Sequence, residues 1–75
     1  MENNYIFENI KQDMEALAVE HSKAADNERI WALGAFEAED TARHMQYMEE
    51  HKSLARMYKR LANMASEIME QFGDD

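Results

Sequence analysis

No proline occurs anywhere in the chain, and Gly34 is the sole glycine before Gly73. A chain so poor in these residues has little means of making tight turns or of closing hairpins between strands. Alanine, glutamate, methionine, leucine and lysine, all good helix formers, dominate instead. The expected fold class is therefore all-α, with helix from about residue 4 to about residue 72. Asn3 or Asn4 is a candidate cap at the start. Gly73 is a candidate stop, with residues 73–75 frayed around it. At 75 residues the whole chain, 1–75, reads as a single domain.

The apolar residues recur in alternating steps of three and four. Phe7, Ile10, Met14, Leu17, His21, Ala24, Glu28, Trp31, Ala35, Ala38, Ala42 and Met45 trace one heptad seam that only His21 and Glu28 break. Leu54, Met57, Leu61, Met64 and Ile68 trace a second, beside a row of Tyr58, Ala62, Ala65, Met69 and Phe72. At about 100° per residue the second face runs back into Glu50, Tyr47, Arg43 and Asp40, away from the Ala38–Ala42–Met45 face. The helix is thus expected to break, or to change packing partner, near Glu49–Ser53, where Ser53 would cap a new helix. Asp26–Asn27 and Gly34 are two further candidate breaks. The reading is two or three amphipathic helices, about 4–25, 27–49 and 53–72. They would form a small helical bundle or a coiled-coil-like dimer. The stretch from Ile30 to Phe36 is apolar on every side and points to a central, buried element.

Sixteen acidic against eight basic residues give a formal net charge of −8. That argues against direct binding of nucleic acid or of an anionic membrane surface, both of which call for a basic face. Lys52, Arg56, Lys59 and Arg60 make a local basic stripe, best explained by Glu49 pairing with Lys52 and by bridges to the acidic first segment. No stretch approaches the roughly 20 apolar residues of a membrane span. The N-terminal MENNYIFENIKQD lacks the basic start and apolar run of a signal peptide, so the cytoplasm is the expected location. With no cysteine, disulfides, thiolate zinc sites and a cysteine nucleophile are excluded.

Asp40, Arg43, His44, Tyr47, Glu50 and His51 form a polar patch in line with the third segment's apolar face. Its plainest reading is a salt-bridged boundary, and a recognition surface is the functional one. Imidazole, thioether and carboxylate at His44, Met45, Met48 and His51, with Asp40 and Glu37 on neighbouring turns, invite a metal reading, although Met45 points away from the others. No Glu-x-x-His pair occurs, however, and no metal ligand or cofactor is assigned. The three serines, at 22, 53 and 66, lie outside any nucleophile-elbow pattern, and no enzyme activity is expected. His21, alone on an apolar seam, is expected to set register and to make helix association sensitive to protonation, with Glu28 as its partner along one helix or across an antiparallel pair.

The functional expectation is a small non-enzymatic acidic protein acting through protein–protein contact. It would be a regulatory or accessory factor of bacterial or phage type, self-associating as a homodimer and meeting a further, unidentified protein. The residues expected at that interface are Trp31, Phe36, Met45, Tyr47, Met48, Leu54, Met57, Tyr58, Leu61 and Met64, since aromatic and methionine anchors are enriched at interfaces. An acidic inhibitor that mimics nucleic acid and blocks a basic site is the first alternative. A metal-responsive helix pair around His44 and His51 is the second.

Overall fold

The computed structural model describes residues 2–72, which form two helices packed antiparallel: α1, Glu2–Gly34, and α2, Ala38–Phe72. The hairpin is long and thin, with Cα extents of 58 × 13 × 11 Å. Its radius of gyration is 16.9 Å, against about 11 Å for a compact globule of this length. Helix already runs through Asn3 and Asn4, so neither caps α1. Gly73 and the two residues after it lie outside the described residues.

Of the three candidate breaks, the one at Gly34 is real. Helix continues through Asp26–Asn27 and through Glu49–Ser53, so the expected segment 27–49 is divided by the turn: residues 27–34 finish α1, and residues 38–49 join the third segment in one 35-residue helix. Ser53 caps nothing; its hydroxyl accepts a hydrogen bond from Arg56 Nη2 at 3.3 Å. The apparent change of face arose because the first seam was followed through the turn, where register resets. Read from the turn outward, α2 has one uninterrupted inner face. It comprises Thr41, His44, Met48, His51, Ala55, Tyr58, Ala62, Ala65 and Met69, all buried or half-buried. These steps of three and four are those of a heptad.

The inner face of α1 is likewise two rows: Phe7, Met14, His21 and Glu28, and beside them Lys11, Ala18, Ala25 and Ala32. The first row matches the sequence reading. The second lies one residue past Ile10, Leu17, Ala24 and Trp31, which flank the seam instead. Alanine makes this possible: Ala25 and Ala62 are each 2% exposed, and Ala32, Ala65 and Met48 complete the buried core. Small inner residues let the helices approach closely, and they also bury little apolar area.

The connection is three residues, Ala35–Glu37. The Ala32 carbonyl accepts the Ala35 N–H at 3.4 Å and the Thr41 hydroxyl at 3.4 Å, which satisfies one of the end carbonyls of α1. The Thr41 N–H donates to the Glu37 carbonyl at 3.1 Å, closing the first turn of α2. Glu39 and Asp40 sit in that turn, where negative charge suits the helix N-terminus.

Candidate functional site

Two features stand out: a polar ladder inside the seam, and an apolar surface on one side of the two-helix layer.

The ladder follows from register. His21 and Glu28 are one heptad apart on α1, and His51 and His44 one heptad apart on α2, so both pairs meet across the antiparallel seam. His21 Nδ1 lies 2.9 Å from His51 Nδ1. His44 Nδ1 lies 2.5 Å from Glu28 Oε2, both side chains about three-quarters buried. Aromatic rings extend the ladder. Tyr58 stacks on His21 with centroids 5.5 Å apart and planes at 13°. Trp31 stacks on His44 at 6.1 Å and 22°. The sequence pointed to Glu28 as the partner of His21; the structure gives Glu28 to His44 and His51 to His21. The reason is geometric: residues seven apart on one helix are about 10 Å apart, too far for contact, whereas residues facing across the seam touch.

The same spacing separates His44 from His51, so these two cannot share one metal ion within a chain. Among the described residues no group of three potential His, Cys, Asp or Glu ligands converges.

The polar patch read from the sequence is divided. His44 and His51 turn inward to the ladder. Arg43 pairs with Asp40 at the rim, while Glu50 and Tyr47 are exposed. Lys52 pairs with Glu49 at 3.9 Å, as its spacing implied. Among the described residues the expected bridges from the basic stripe to the acidic first segment do not form, and Glu28–His44 is the carboxylate–imidazole contact that crosses the hairpin.

In an antiparallel pair, the residue preceding each inner position points to the same side of the layer on both helices. That side carries Ile10, Leu17, Ala24 and Trp31 from α1, and Tyr47, Leu54, Leu61 and Ile68 from α2. Met57 and Met64 lie next to it. Leu17, Leu54 and Ile68 are half-buried; Leu61 is 40% exposed, Met64 50% and Trp31 64%. The opposite side carries Glu8, Glu15, Ser22 and Arg29 facing Met45, Lys52, Lys59 and Ser66, with exposed Val19 and Leu33 beside them, a mainly polar surface. The hairpin is therefore amphipathic across its thickness.

The residues expected at an interface fall into three places. Tyr47, Leu54, Met57, Leu61, Met64 and Trp31 lie on or beside the apolar side. Met48 and Tyr58 face the other helix within the chain, and Met45 lies on the polar side. Phe36 is fully exposed at the turn, and Ile30 and Leu33 are exposed too, so the stretch Ile30–Phe36 is not the buried central element expected: it ends one helix and turns, with a single neighbour to pack on. Ile10, Leu17 and Ile68 were on the seams drawn from the sequence but were not among the interface residues. What identifies them is the pairing of the two flanking rows on one side, which becomes visible only once the turn is located.

The chain matches no protein-family model, no curated protein and no solved structure.

Proposed function

We propose that this chain is a small non-enzymatic interaction protein of the cytoplasm, regulatory or accessory in role. It works by packing its apolar side against another protein, and its first partner is a second copy of itself. The observation that carries the reading is the one-sidedness of the hairpin. Large apolar residues from both helices run along one side for most of its length, while the other side is mainly polar, with Val19, Leu33 and Met45 scattered among charges. A two-helix layer buries its seam and leaves its two broad sides to water. An apolar side of this extent marks an interaction surface.

The surface areas agree. One hairpin exposes 5963 Å². Two separate copies together expose about 4,000 Å² more than a compact globule of their combined mass. That excess is of the size buried by obligate homodimers. A core made mainly of alanine also contributes little stability, and chains of this size commonly gain the remainder by oligomerising.

Molar mass by light scattering after size exclusion, at two concentrations and two salt levels, tests this. The expected mass is twice that of one chain at both salt levels, because apolar burial is not screened. Ile10→Glu combined with Leu61→Glu is expected to give the single-chain mass with helicity retained. A monomer at every concentration overturns the self-association reading.

A further inference from the structure

Resting on that reading, we infer how the second copy lies. It sits end for end, with α1 on α1 and α2 on α2, about a two-fold axis crossing the helices at the level of Ala18 and Ala55.

Two symmetric arrangements bring the apolar sides together. With the axis along the helices, both turns lie at one end and each α1 covers the other copy's α2. With the axis across the helices, the turns lie at opposite ends and like helices cover each other. Both bury Leu17 and Leu54. They differ at the edges, where the residues along the outer rim of one copy meet those of the other.

End for end, the edges match. Asp13 meets Lys23 of the second copy, and Glu50 meets its Arg60. Arg43 meets Glu67, and Ile6 meets Ile30, two isoleucines that are 53% and 67% exposed in the hairpin. These pairs are not independent placements. The α1 pairs are centred on position 18 and the α2 pairs on position 55. The seam places Ala18 and Ala55 opposite each other, since Ala32 lies across from Thr41 in the same pair of rows. One axis therefore satisfies all four contacts, each made twice by symmetry.

Side by side, the charge pairs in the middle survive with exchanged partners, Asp13 with Arg60 and Lys23 with Glu50. The ends fail. Ile6 falls against Glu67 and Ile30 against Arg43, so neither the isoleucine contact nor the Arg43–Glu67 pair forms at either end of the bundle. The end residues thus choose the arrangement.

The chain has no cysteine, so Glu39→Cys adds a single attachment point for a nitroxide label near the turn. Spin–spin distances separate the arrangements. End for end places the two labels about 50 Å apart, from the helical rise between position 39 and the axis. Side by side brings them within about 25 Å, because the turns are then adjacent. A long distance supports the inference. A short distance overturns it and leaves self-association standing, and a monomer overturns both.

A charge exchange checks the same point. Asp13→Lys is expected to weaken association about fivefold through two lost pairs. Lys23→Asp in the same chain is expected to restore it, and rescue by Arg60→Asp instead overturns the inference.

Discussion

His21 and His51 share one hydrogen bond between like atoms, Nδ1 to Nδ1 at 2.9 Å, from opposite sides of the seam. One ring must donate and the other accept, so the contact needs at least one neutral imidazole. One heptad away, His44 instead faces a pure acceptor, the Glu28 carboxylate, at 2.5 Å. The ladder therefore joins a ring–ring contact to a ring–carboxylate contact, with Tyr58 and Trp31 as stacking neighbours.

The two contacts are read by substitution. Glu28→Ala leaves the part-buried His44 ring without its acceptor and is expected to cost about 1 kcal/mol, and His51→Ala is expected to cost about as much at His21. Urea midpoints at fixed protein concentration measure both. Unchanged midpoints in both variants would refute a contribution of the ladder to stability.

Among the described residues, Met48 is the one large side chain in the buried core, at 6% exposure. Met48→Ala is expected to cost about 2–3 kcal/mol through lost burial and a residual cavity. Ala62→Leu is expected to destabilise by about 1–3 kcal/mol for the reverse reason, since added methylenes force the helices apart. Denaturant unfolding at one protein concentration measures both.

Gly34 ends α1 without a left-handed backbone, and a Cβ placed there meets nothing within 4 Å. Gly34→Ala is therefore expected to raise stability by about 0.5 kcal/mol, through the reduced entropy of the unfolded chain. A fall in the thermal midpoint would show that the glycine serves the turn in another way.

Trp31 is the sole tryptophan. It lies 64% exposed on the apolar side, stacked on His44. Its emission maximum is expected to shift to shorter wavelength as concentration rises, and to stay red-shifted in the Ile10→Glu, Leu61→Glu protein. Fluorescence over a hundredfold dilution series reads this directly.

The all-α fold was legible because nothing in the chain opposes helix and the apolar steps are helical throughout. The inner row through Phe7, Met14, His21 and Glu28 was legible as well, and so was the α2 row of Tyr58, Ala62, Ala65 and Met69. Two things were hidden. The turn carries no strong signal, because Gly34 adopts no conformation that other residues avoid and its neighbours are ordinary helix residues. The second inner row of α1 was masked because its alanines and Lys11 are less hydrophobic than the flanking Ile10, Leu17 and Trp31. Hydrophobicity alone put the larger side chains in the seam. Close packing put alanine there and left the larger ones for the surface above it. The ladder followed the same logic: its four polar residues were each visible, but their partners depend on which residues face each other across the hairpin.

The three-residue connection has a further consequence. Ala35, Phe36 and Glu37 carry no intrinsic demand for reversal, and the glycine before them keeps ordinary backbone angles. Were these residues to join the helices into one, the chain would be a rod about 100 Å long, with α2 removed from its own α1. A second rod could then supply the missing α2 and restore each seam contact between chains, the exchange of elements that short hinges permit. The fold-back is thus set by what α1 and α2 recognise in each other, not by the hinge that joins them.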